Sequence, residues 1–167
     1  MIEGPIDIVQ RQWQSERPDL DTSSIGILGR IDRVSKVAQA EGKKVLDALD
    51  VNGWEYEVLA TLRRTGPDYE LTPRDLSETL LVSGSALTNR LDHLERAGYV
   101  ERRPDLEDRR SIRIRLTKKG HDSANQLVEA YLSREKELLG GLNNREQRTL
   151  EGLLRKLLIS IEPLAGA

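Results

Sequence analysis

From Leu71 to Gly120 the chain reads LTPRDLSETLLVSGSALTNRLDHLERAGYVERRPDLEDRRSIRIRLTKKG, and this stretch decides the fold. Thr72 has the side chain of an N-cap, and Pro73 stands at the first helical position, where a missing N–H costs nothing. The spacing predicts a short helix from Pro73 to Leu80 that buries Leu76 and Leu80. Val82-Ser83-Gly84 supplies a turn, and Ser83 caps a second helix running to about Ala97. Leu87, Leu91 and Leu94 recur at helical spacing and form its buried stripe. Ser83 at the cap, and Ser85, Thr88, Asn89 and Arg90 in the first turns of the opposite face, are short hydrogen-bonding groups plus one long cation. These side-chain types read base edges and grip phosphates.

The segment that follows reads as a hairpin: a strand from Tyr99 to Arg103, a polar tip from Pro104 to Asp108, and a strand from Ser111 to Leu116. Ile112, Ile114 and Leu116 alternate with Arg113 and Arg115, the period of a half-buried strand. From Arg109 to Lys119 stand six basic residues and no acid. Basic strands also occur as solvated edges that discourage aggregation. Here the helix pair, the serine-bearing turn and the cationic hairpin come in the order of a winged helix-turn-helix, with one helix in the major groove and a basic ribbon beside it.

The charge distribution agrees. The formal net charge is only −2, yet residues 90–119 hold ten basic and six acidic side chains, while residues 1–89 hold ten and fifteen. The positive excess lies where a winged helix meets DNA. There is no cysteine, hence no disulfide or thiolate metal site. No apolar run reaches membrane-spanning length and no signal-peptide core is evident, so a cytoplasmic protein without membrane contact is expected. His93 and His121 stand in no triad or metal-ligand spacing, and there is no glycine-rich phosphate loop. We expect no enzyme, no cofactor and no metal.

Outward from the centre, a helix over Gly4–Ser15 places Ile6, Val9 and Trp13 on one side, and a long helix spans Thr22 to Leu49. A third covers Asn52–Arg64 and buries Trp54, Val58 and Leu62. After the wing, a helix from Thr117 ends near Leu139 at Gly140-Gly141, and Asn144 with Gln147 predicts a capping box for a last helix bearing Leu150, Leu153, Leu154, Leu157, Leu158 and Ile161. The fold class is mainly α with a small β-hairpin. Residues 1–50 form an arm helix and a dimerisation helix, 51–117 the DNA-binding unit, and 118–167 further dimerisation helices. One winged domain cannot bury all these apolar stripes, so a twofold homodimer on a palindromic double-stranded site is expected. A larger monomeric helical domain is the alternative.

This arrangement resembles the MarR family of bacterial transcription regulators over nearly the whole chain, most specifically from Leu94 to Gly120, where Asp108-Arg109-Arg110 matches the family's wing motif. The resemblance implies that Asp108 buttresses the hairpin and that Arg109 and Arg110 share structural and DNA-contacting roles; we expect Arg110 to be the deeper contact, with Arg109 the alternative. Arg113 completes the set of candidate DNA contacts in the wing. A narrower resemblance is to the urate-responsive PecS/HucR/TamR branch, with an extra N-terminal helix carrying Trp13. Gly53-Trp54-Glu55, Thr88-Asn89-Arg90 and Glu101-Arg102 fall on that branch's pocket positions, which implies Trp13, Glu55, Arg90 and Arg102 as ligand-binding residues. Glu55 stands where the urate-binding members carry aspartate.

A small anionic or aromatic ligand suits this set, because tryptophan offers a flat wall and arginine a forked donor. Glu55 is expected to pair with one of the two arginines when no ligand is bound. The expected function is a ligand-responsive DNA-binding regulator, a repressor released by urate. Xanthine, a phenolic acid or a tricarboxylate such as trans-aconitate remain open, as does a winged helix used only for protein–protein contact.

Overall fold

Both caps of the central helix pair form. In the computed structural model, which describes residues 3–105 and 111–162, the Thr72 hydroxyl accepts from the Asp75 N–H at 3.1 Å, and the Ser83 hydroxyl accepts from the Ala86 N–H at 3.4 Å. They start α4 (Pro73–Leu80) and α5 (Gly84–Arg96). Preceding them are α1 (Pro5–Glu16), α2 (Ser23–Ala48), α3 (Gly53–Arg64) and β1 (Glu70–Leu71). Following them are β2 (Val100–Pro104), β3 (Ile112–Leu116), α6 (Lys118–Leu138) and α7 (Asn144–Ile161).

Gly98 is the joint between α5 and the hairpin. Its φ of 77° is left-handed, and it lets the Gly98 and Tyr99 N–H groups turn back onto the carbonyls of Glu95 and Leu94, both at 2.9 Å. This closes the helix in a Schellman motif and sends the chain directly into β2. β2 and β3 pair antiparallel with Arg102 opposite Ile114 and Arg103 opposite Arg113. β1, which the sequence pattern does not disclose, pairs with the other side of β3, giving the order β1-β3-β2. Two residues are too few to show alternation, and β1 is a strand because β3 offers it an edge.

The core lies under the helix pair. Leu76, Leu87 and Leu94 meet Val58, Leu59 and Leu62 of α3, Ile114 of β3, and Ala124 and Leu127 of α6. Each fully buried leucine contributes about 1.5–3 kcal/mol. Ile112 is the exception on β3 and stays exposed toward the hairpin tip. α6 is tied to α3 by Arg63 Nε donating to Asn125 Oδ1 at 2.6 Å and by the stacked rings of Tyr56 and Tyr131. It is tied to α2 by Arg134 Nη2 on Glu41 Oε2 at 2.5 Å.

Two local expectations need correction. The N-cap of α7 is Asn143, with Glu146 closing the capping box, one residue before the expected Asn144 and Gln147. The Gln147 amide instead donates to the carbonyls of Leu139 and Leu142 and fastens the α6–α7 turn. Asp105, expected in a polar tip, is buried, and its N–H donates to the Ser111 carbonyl at 3.1 Å. Among the described residues no helix is long and apolar enough to cross a membrane.

Candidate nucleic-acid interface

α5 is held by its buried leucine stripe, which leaves Ser83, Ser85, Thr88 and Asn89 exposed on its other side. Ser83 already serves as the cap, and its Oγ lies 3.3 Å from that of Ser85. The Thr88 hydroxyl donates to the Gly84 carbonyl at 2.9 Å and keeps its lone pairs free to accept. Beside this helix stands the hairpin. Arg113 Nε donates to the buried Asp105 carboxylate at 2.8 Å and lies 3.7 Å from Glu70. A guanidinium expected to contact DNA is thus clasped by two acids near the tip end of the β2–β3 ladder. Asp108, Arg109 and Arg110 lie outside the described residues. Among the described residues, the acid that braces the hairpin is Asp105, which sequence reasoning passed over as part of a polar tip.

Arg102 joins the wing to the helix. Its Nη2 donates to Asp92 Oδ1 at 2.6 Å, its Nη1 donates to Glu95, and its backbone N–H donates to Glu95 Oε1 at 3.2 Å. Partial burial works against the Arg102 charge, and the two carboxylates more than offset it, holding its pKa above the ordinary value. These contacts tie β2 to α5.

Of the other expected pocket residues, Glu55 and Arg90 lie along the seam between α3 and α5. Glu55 is at the third position of α3, where one oxygen accepts from the Asn52 N–H at 2.8 Å in a capping box. Its other oxygen lies 3.1 Å from His93 Nε2 on α5. Trp54 meets the same imidazole edge-on and carries the Arg90 guanidinium 5.8 Å from its ring centre. Arg90 Nη1 is buried without a hydrogen-bond partner among the described residues, with Glu57 Oε2 at 4.0 Å.

The expected pairing of Glu55 with Arg90 or Arg102 is therefore not formed. Glu55 faces histidine, Arg90 faces Trp54 and Glu57, and Arg102 faces Asp92 and Glu95. The physical reason is the capping box, which fixes the carboxylate at the start of α3 within reach of His93. Trp13 is about half exposed on α1, which packs on α2, and among the described residues it takes part in none of these hydrogen bonds, ion pairs or ring contacts. His93 and Glu57, which the sequence did not single out for this seam, line it as well, and Trp54, expected in the core, borders it. The signal for Glu55 was present in Asn52-Gly53-Trp54-Glu55, an N-cap followed by an acid three residues on. Among the described residues no group of histidines and acids is placed to hold a metal ion.

Residues 49–111 match the model for the MarR family. The chain is 38% identical over 151 residues to the HTH-type transcriptional regulator PecS of Dickeya dadantii, covering 90% of each chain. A crystal structure of mutant MarR from Escherichia coli complexed with operator DNA superposes with a TM-score of 0.65 at 30% identity, over 87% of this chain and 97% of that one. AbsC of Streptomyces coelicolor, described as a MarR family transcriptional regulator, shares the fold with a TM-score of 0.68 at 20% identity, over 88% of this chain and 94% of that one.

Proposed function

The chain belongs to the MarR family of DNA-binding transcription regulators, and from that premise we propose that it is a homodimeric repressor released from a palindromic operator by a small anionic ligand such as urate. Ser85, Thr88 and Asn89 on α5 read base edges, helped by the Ser83 end of the helix. Arg109 and Arg110 of the wing reach phosphates or the minor groove, with Asp108 as an expected brace. Arg113 acts within the hairpin by holding Asp105 and Glu70, a positioning role more than a contact.

The observation that carries the ligand reading is Arg90. Among the described residues this buried guanidinium nitrogen has no hydrogen-bond acceptor, only Glu57 at 4.0 Å; such a group is costly, and an anion would supply a closer partner. Trp54 provides a flat wall beside it, and Glu55 and His93 border the same seam. An anion on Arg90 draws it from Glu57 and disturbs the contact of His93 with Trp54 and Glu55. Every one of these contacts joins α3 to the recognition helix, so the ligand re-aims α5. Arg102 then carries the wing along through Asp92 and Glu95. Trp13 is assigned to this ligand site by resemblance to the branch alone. A coupling of about 1–3 kcal/mol would give roughly 5–150-fold derepression.

The test is urate titration of the protein bound to a labelled duplex from upstream of its own gene, followed by anisotropy at fixed salt. Release by urate in the wild type, lost in Arg90→Ala and weakened in Glu55→Ala, is the expected result. If both substitutions leave ligand affinity and release unchanged, the mechanism is wrong. A complex that stays intact with urate moves the ligand to phenolic or tricarboxylic acids, a reading that the longer reach of Glu55 favours.

A further inference from the structure

We propose that Leu81 is an apolar DNA contact that reads thymine methyl groups at the edge of the major groove, a role that rests on the DNA-binding reading above. Leu81 is the C-cap of α4 and holds left-handed backbone, with φ 53° and ψ 41°. That conformation crowds a Cβ against the neighbouring carbonyl, so such positions ordinarily go to glycine or asparagine. The same side chain is 92% exposed. Its neighbours Leu80 and Val82 pack against the core, and Leu81 does not. Backbone conformation and hydration both disfavour a leucine here, so folding alone gives no reason for one.

The surroundings identify the partner. The N–H groups of Leu81 and Val82 both donate to the Ser77 carbonyl, and the Ser77 hydroxyl donates to the Val82 carbonyl at 2.6 Å. The turn is therefore pinned on each side of the exposed side chain, which is held out and not left to collapse. Two residues later Ser83 caps α5, and Ser83, Ser85 and Thr88 are exposed around that same helix end. N-terminal residues of a recognition helix are the ones that meet base edges, so the turn leading into it lies at the rim of the groove. The thymine C5-methyl is the apolar group displayed there, and aliphatic side chains contact it. An apolar side chain preset in a rigid turn suits that target, since little freedom is lost on binding.

The experiment compares wild type, Leu81→Gly and Leu81→Met for thermal stability and for binding to the labelled upstream duplex. A second duplex carries deoxyuridine in place of thymidine, which deletes only the methyl groups. Leu81→Gly is expected to melt higher than wild type yet bind several-fold more weakly, with the same salt dependence because no charge is lost. Leu81→Met should bind close to wild type. Deoxyuridine should weaken wild type and barely affect Leu81→Gly. Wild-type affinity in Leu81→Gly, equal losses in the glycine and methionine variants, or an equal deoxyuridine penalty in wild type and Leu81→Gly would each overturn the assignment. A wild-type chain that bound neither duplex would overturn the DNA-binding reading with it, whereas tight wild-type binding with an indifferent glycine variant removes Leu81 alone.

Discussion

A methyl group added at Gly120 would stand 1.9 Å from the Tyr99 carbonyl oxygen, a backbone atom that cannot swing aside. The contact is this close because the Thr117 hydroxyl caps α6 through the Gly120 N–H and also donates to the Gly98 carbonyl at 2.7 Å, drawing the first turn of α6 onto the strand entry. Gly120→Ala is expected to cost about 1–3 kcal/mol or more, as overpacking does. For a chain of this size each kcal/mol lowers the thermal midpoint by roughly 2–4 °C. At Gly84 nothing lies within 4 Å of an added Cβ, so Gly84→Ala is the control that keeps its midpoint in the same circular-dichroism melts. At this scale much of the site was legible in the sequence and its pairings were not. Residue types and spacing mark Arg90, Glu55 and Arg102 as chemically able. Which acid meets which arginine depends on β2 folding back beside α5, and that brings Asp92 and Glu95 to Arg102 before Glu55 can reach it.

Among the elements, α1 shows how a helix with no buried residue is nonetheless held. Asp7 accepts from the Gly4 N–H at 2.9 Å, capping its own helix, and takes Arg30 of α2 at 2.5 Å. The Gln10 amide donates to the Thr22 carbonyl, and Ile6 lies against Gly29. The Gly4 hydrogen bond first, and then Arg30, hold the Asp7 carboxyl below the ordinary carboxylate range. A pKa depressed in the folded state means stability that is present above the unfolded-state value and lost as pH falls through the folded-state value. The arm is therefore expected to stay docked at neutral pH and to loosen in acid. Melts of wild type and Asp7→Asn across pH check this: the wild-type advantage should be full at pH 7 and vanish once Asp7 is protonated. An advantage that persists in strong acid would show that the carboxylate is not what holds α1. Helix positions followed from caps and apolar periodicity, as at Thr72, Ser83 and Thr117. β1 and the Asn143 cap did not, because the first depends on a partner strand and the second on choosing between adjacent asparagines with acceptors three residues on.

For the whole molecule, the decisive feature is apolar surface that one chain leaves uncovered. Ile27, Leu28 and Val34 of α2, Leu132 of α6, and Leu153, Leu158 and Ile159 of α7 are each more than half exposed. Between α2 and α6, Val34, Val37, Ala38, Leu138 and Leu139 line an apolar groove of about 480 Å³. Surface of this kind on helices from both ends of the chain fits a self-complementary twofold interface, in which the same helices of the partner fill what each protomer leaves open. Leu153→Glu combined with Leu158→Glu places two charges on the α7 face without touching the winged unit. Sedimentation should show the wild type as a dimer and the variant shifted toward monomer. DNA affinity should fall with it, because a dimer makes its second half-site contact intramolecularly and a monomer does not. The salt dependence should become shallower for the same reason, fewer phosphates being neutralised per binding event. A variant that stays dimeric and binds normally would place the interface elsewhere. A wild type that sediments as a monomer at micromolar concentration, and still binds one half-site as tightly as two, would remove the twofold arrangement and the palindromic operator together.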